Sequence, residues 1–142
     1  MADAQRVVVG GAAAGPLLVL DESLSFWGGF DYETGMIIDQ AHPQVGSGLA
    51  GFIVMMPVGR GSSSASSVLA EAIRRGTAPA ALILKESDEI VALGAIIAEE
   101  LYGTTMPILI VDQPTYEALS RVEWLTIAAN GALTPGPLPD QS

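Results

Sequence analysis

The sequence predicts an α/β domain built on a largely parallel or mixed sheet flanked by helices. Two observations carry that expectation. From residue 50 onward, short apolar runs alternate with helical patterns, the sign of strands buried on both faces and joined by crossover helices. In addition, 49% of the 142 residues are hydrophobic, with a mean hydropathy of +0.42, which excludes a disordered chain and suits one compact domain.

The elements follow in order. "QRVVVGGAAAGPLLVL" predicts two short strands, Val7–Val9 and Leu17–Leu20, separated by a glycine-rich turn. Its glycines do not fall as GxGxxG, and a strand follows where a helix should open, so a dinucleotide fingerprint is excluded. The stretch from 21 to 51 is loop-rich, with Phe26, Trp27, Phe30 and Tyr32 set among glycines and acids, and only Met36–Asp39 reads as a strand. Long irregular segments in compact domains are often functional. "AGFIVMMP" is then a buried strand. "SSVLAEAIRRGTAP" is a helix with Val68, Leu69, Ala72 and Ile73 on one face and Gly76 as its stop. "AALILK" is a strand. "SDEIVALGAIIAEELYG" is a helix capped by Ser87 or Asp88 and ended by Gly103. "MPILIVD", "TYEALSRV" and "EWLTIAAN" add a strand, a short helix and a last strand. The reading is a single domain over 1–142, with an ordered core over about 4–132 and a Pro/Gly-rich tail over 133–142.

Composition removes several functions. Sixteen acidic and six basic residues leave a net charge of −10, against nucleic acid or an anionic membrane as partner. No cysteine is present, so this chain offers neither a thiolate nucleophile nor ligands for an iron–sulfur cluster, and the single His42 makes no zinc site. His42 reads as a structural loop residue. The uncharged stretch 41–59 is too broken to span a membrane, and the N-terminus lacks a signal peptide's basic start. The expected location is cytoplasmic.

The segment "VGRGSSSASS", residues 58–67, holds the candidate site. By composition it is a linker, but it joins a strand directly to a helix, where connections are short and tight. At that place backbone N–H groups and the positive end of the helix dipole meet the crevice where open α/β sheets bind ligands. No lysine completes a Walker pattern, and no GxSxG surrounds Ser62. The residues alone therefore support a site for a carboxylate or phosphate, with Arg60 as a charged partner. An activated serine stays open beside it. Arg74 and Arg75 either join Arg60 in a cationic spot or form an ordinary helix end.

The blocks "LSFWGGFDYETGMIIDQAHPQVGSGLAG", "MPVGRGSSSASSVLAEAI", "GTAPAALIL", "IVALGAIIAEELYG" and "PILIV" resemble the aconitase X family, in order over about residues 10–111. More narrowly they are similar to its small subunit, an aconitase-type swivelling β/β/α domain. The resemblance implies a carbon–oxygen lyase that dehydrates a small-molecule hydroxy acid and is active only with the aconitase-X large subunit, in a heterodimer or higher assembly. An iron–sulfur cluster would sit on cysteines of that large subunit, not on this chain. Carried over by motif, Ser62 would be the proton-abstracting catalytic serine. Arg60, Gly61, Ser63 and Ser64 would bind substrate, although Arg60 stands before the serines where true aconitases place an arginine after them. Family substrates divide between cis-3-hydroxy-L-proline and phosphomevalonate, and the Lys-poor, Ala-rich composition favours the first. A non-catalytic anion-binding or regulatory module is the further alternative. Phe26, Trp27 and Gly28 are read as pocket or interface residues, or as core packing.

Overall fold

The computed structural model describes residues 6–58 and 64–139. The strands are β1 (Arg6–Val9), β2 (Ala13–Val19), β3 (Phe30–Asp31), β4 (Met36–Ile37), β5 (Ile53–Met55), β6 (Ala81–Leu84), β7 (Ile108–Ile110), β8 (Trp124–Ile127) and β9 (Leu133–Gly136). The helices are α1 (Ser64–Arg75), α2 (Glu89–Tyr102) and α3 (Gln113–Leu119). Seven strands form one sheet in the order β1-β7-β6-β5-β2-β8-β9, and β3 and β4 pair separately. The middle of the sheet is parallel, from β2 through β5 and β6 to β7, while β1, β8 and β9 join antiparallel at the two sides. The mixed α/β sheet expected from the sequence is the one observed.

Both faces of the central strands are buried, and successive residues divide between them. Val54, Leu82, Leu84 and Ile108 face a core closed by α1 and α2. Ile53, Met55, Ile83 and Leu109 face a second core closed by α3 and by β8 and β9. That is why these strands read as unbroken apolar runs and not as alternating ones. The segment between β2 and β5, here called the strap, crosses the first core and contributes Leu24, Phe26, Phe30, Ile37 and Leu49 to it. Phe26 and Phe30 meet edge to face, with ring centroids 5.2 Å apart.

Three expectations need correction. The glycine-rich turn before Leu17 is instead the first half of β2, which pairs with β8 over Ala13–Pro16 and with β5 only from Leu17 on. The Leu17 N–H points toward β8, to the Glu123 carbonyl at 3.1 Å. By alternation the Pro16 nitrogen points the other way, where pairing with β5 has not begun, so its missing donor costs no ladder bond. Gly15 is required by closeness, since a Cβ there would lie 2.5 Å from the Gly51 carbonyl oxygen. The second correction is β9, a strand inside the stretch read as tail. As the outer strand it tolerates Pro135, because an edge leaves one row of N–H groups unpaired. The strap also holds the short β3–β4 pair where a single strand over Met36–Asp39 was expected.

Candidate functional site at the C-terminal edge of the parallel strands

Strands β2, β5, β6 and β7 all end at one edge, and their continuations form the site. After β5 the chain runs through Pro57 and Val58 toward the serine loop. Ser62, Arg60, Gly61 and Ser63 lie outside the described residues, and Ser64 is the first residue of α1, exposed to solvent. The loop thus leaves a buried strand and enters a 12-residue helix.

The stem of this loop is pinned on two sides. The Pro57 carbonyl accepts from the backbone N–H groups of Lys85 at 2.9 Å and Glu86 at 3.1 Å, the residues that follow β6. From the strap, Ser23 Oγ accepts from the Val58 N–H at 3.4 Å, and the Leu24 N–H donates to Met56 Sδ at 3.4 Å. The strap is itself clamped to the end of β2. Gln44 Nε2 donates to the Val19 carbonyl at 2.9 Å, and its Oε1 accepts from the Asp21 N–H at 2.8 Å, so one side chain stands in for a neighbouring strand. His42 is buried beside it. Its Nδ1 accepts from the Gln44 N–H at 3.0 Å, which leaves Nε2–H to donate to the Glu22 carbonyl at 2.9 Å. Both ring nitrogens are engaged by backbone, so His42 is a structural residue, as its place in the sequence suggested.

Beside the stem lies a crevice of about 430 Å³ lined by Pro57, Lys85, Glu86, Val111, Asp112 and Gln113. Lys85 Nζ donates to Gln113 Oε1 at 2.9 Å and stands 5.0 Å above the Tyr116 ring. Its charge is therefore turned onto α3. Sequence reading quoted Lys85 only as a strand end. The position just after a buried parallel strand was the signal, since ligands gather there in open α/β sheets. Asp112 caps α3, and hydrogen bonds from Thr115 hold its carboxyl below the usual carboxylate range. Tyr116, buried in the second core, is pushed up to about 12 by burial.

Arg74 and Arg75 do not lie at the described start of α1. They sit in the last turn of α1 and both bind Glu71, Arg74 at 2.7 Å and Arg75 at 3.0 Å. Hydrogen bonds from the two guanidiniums pull the Glu71 carboxyl down to about 2. Ser64 lies at the other end of the helix, about 15 Å away at 1.5 Å per residue. At that end no acidic side chain occupies the first turn, so the partial positive charge of the helix start is not met by a carboxylate of α1 itself. Behind it α2 packs closely: a Cβ on Gly94 would lie 2.8 Å from the Ser66 carbonyl oxygen. Among the described residues no cluster of His, Asp and Glu is placed to hold a metal ion, and no helix is long and apolar enough to cross a membrane.

A mixed, curled seven-stranded sheet with three helices, in which the chain after β5 leads into α1 at the C-terminal edge of the parallel strands, defines an α/β domain. The family model of the aconitase X swivel domain matches residues 3–134, and the chain belongs to that family. It is 46% identical over 123 residues to the cis-3-hydroxy-L-proline dehydratase of Pseudomonas aeruginosa, a match covering 87% of this chain and 21% of that protein. It is 41% identical over 118 residues to the phosphomevalonate dehydratase small subunit of Methanothermobacter thermautotrophicus, covering 83% of this chain and 84% of that one. The chain thus spans about a fifth of the length of the hydroxyproline dehydratases it matches. Among solved structures, the holo-form of Thermococcus kodakaraensis aconitase X superposes with a TM-score of 0.77 at 32% identity, over 92% of this chain and 95% of that one.

Proposed function

We propose that this domain supplies the proton-abstracting serine of an aconitase-X-type dehydratase, working with a large subunit, and that the substrate is cis-3-hydroxy-L-proline. The observation that supports this is the start of α1. A serine loop leaves β5 at the ligand-binding edge and enters a helix whose first turn carries no acid, so a substrate carboxylate can take the place at the dipole that a side chain holds elsewhere. In this reading Ser62, as alkoxide, removes the proton from one substrate carbon. The electrons of that C–H bond form the C=C bond, the hydroxyl on the neighbouring carbon leaves with its bonding pair as hydroxide, and the proton taken up by Ser62 passes to it to give water and restore the alkoxide. Ser63 and Ser64, with the backbone N–H groups at the helix start, bind the carboxylate and stabilise developing charge. Arg60 orients the loop. This chain has no cysteine, so it does not fit an iron–sulfur cluster, and the thiolates for one would come from the large subunit.

The second reading is phosphomevalonate as substrate, favoured by the comparable 41% identity to the archaeal small subunit. The test is co-expression with the large subunit from the same organism, followed by turnover assays on both substrates. Ser62→Ala should lower turnover by about 10²–10⁴-fold with the assembly intact. Near-normal turnover in that variant removes the serine from the mechanism, and activity of the isolated chain removes the two-subunit reading.

A further inference from the structure

The strap carries a surface that the serine chemistry does not use. Four of its apolar side chains face solvent: Trp27 is 57% exposed, Ile38 46%, Val45 40% and Met36 38%. The backbone holds their segments side by side. The Ile38 N–H donates to the Gly29 carbonyl at 2.9 Å, the Gly46 N–H donates to Ile37 at 2.8 Å, and Met36 bridges to Gly48. Met36 and Ile38 flank the buried Ile37 and so point outward together. Trp27 is presented by a tight turn: Phe26 before it is fully buried, Gly28 has φ 83°, and Ser25 Oγ donates to the Trp27 carbonyl at 2.9 Å. A large aromatic left exposed on a rigid turn is the residue type that anchors protein interfaces.

Three observations say what covers this face. First, the strap also grips the stem of the serine loop through Ser23 and Leu24. Whatever packs on the strap therefore lies beside the loop. Second, the strap itself carries acids and no cation: Asp21, Glu22, Asp31, Glu33 and Asp39 fall on it, and no Lys or Arg occurs from residue 7 to 59. The cation that reaches it, Arg75 over the Tyr32 ring at 5.3 Å, comes from α1 and is already paired with Glu71. A second copy would meet the same acids across a two-fold axis, since such an interface sets one patch against itself. Third, in the hydroxyproline dehydratases that it matches, this region is 21% and 20% of the polypeptide, so most of the protein is available to cover it.

We infer that the outer face of the strap is the docking surface for the large subunit, with Trp27 inserted as anchor into an apolar pocket ringed by Lys and Arg. The inference rests on the two-subunit reading above and names the surface that serves it. The apolar strip on α2, formed by Leu93, Ile96 and Leu101, lies on a different element and serves as the internal control.

The experiment is titration calorimetry of the purified chain into the purified large subunit. Trp27→Ala is expected to raise Kd at least about tenfold while the circular dichroism spectrum and Tm stay as in the wild type. Ile38→Ser, at the side of the patch, is expected to act in the same direction. Raising the salt from about 0.05 to about 0.5 M should weaken wild-type binding, since a charged rim is screened. Leu93→Ser combined with Ile96→Ser should leave Kd unchanged. Wild-type affinity in both strap variants overturns the inference alone, as does loss of affinity confined to the α2 variant. A wild-type chain that does not bind the large subunit overturns the two-subunit reading and the inference with it. A homodimer in sedimentation that Trp27→Ala dissolves would assign the face to a second copy instead.

Discussion

Helices α1 and α2 lie against each other on one face of the sheet, yet they begin in opposite ways. At the start of α2, Asp88 accepts from the backbone N–H groups of Ile90 at 2.8 Å and Val91 at 3.0 Å, and Glu89 adds a second carboxylate in the first turn. Asp112 does the same for α3, accepting from the Thr115 N–H at 3.0 Å. The first turn of α1 holds serines and an alanine. Two helices therefore satisfy their positive ends with their own anions, and the third has no carboxylate of its own in its first turn. All three follow a parallel strand at the same edge.

Each side of that contrast can be disturbed separately. The largest change in stability is expected from Gly94→Ala. The added Cβ would meet the Ser66 carbonyl oxygen at 2.8 Å and Leu69 Cβ at 3.1 Å, forcing α2 away from the start of α1. Urea unfolding should show a loss of about 1–3 kcal/mol, the usual cost of overpacking. Next is Ser64→Asp, which makes α1 resemble its neighbours. A carboxylate in the first turn should stabilise the isolated chain by about 0.3–1 kcal/mol, while turnover of the assembled enzyme falls about tenfold as it competes with the substrate's carboxylate. Unchanged turnover would break the comparison. Asp88→Ala is the counterpart: it should cost about 1 kcal/mol in chemical unfolding, through loss of the cap, and leave turnover alone.

The smallest effect is expected at the far end of α1. Glu71 is held at about 2, below its ordinary 4.5, by Arg74 and Arg75. A carboxyl depressed in the folded state adds stability that is complete above 4.5 and is lost as the pH falls through about 2. Thermal melts across that window should fall less steeply for Glu71→Gln than for the wild type. The pair is exposed and screened, so the difference will be modest.

Much of this molecule was legible as local pattern. The central strands were readable because burial on both faces demands continuous apolar runs, as in Ile53–Met55 and Ala81–Leu84. The helix ends were readable because caps are local: Gly76 and Gly103 adopt positive φ, and Asp88 sits where a first-turn acceptor is needed. β2 and β9 were not, because whether Gly15, Pro16 and Pro135 can lie in strands depends on which neighbour pairs on which side. The strap was legible in its motif but not in its geometry. Nothing in "FW" says that Phe26 is in the core and Trp27 at the surface, since that follows from a turn around Gly28 fixed by distant contacts.

By itself, then, the sequence determined the α/β class, the glycine stops of α1 and α2 and the place of the serine loop between strand and helix, all of which depend on residues a few positions apart. The third helix, read over 115–122, runs instead over Gln113–Leu119. Only the tertiary structure decided that Arg74 and Arg75 turn away to Glu71, that His42 is held by backbone at both nitrogens, and that the strap supporting the loop also presents Trp27. Those outcomes depend on groups far apart in the chain, whose contacts exist only once the sheet has formed.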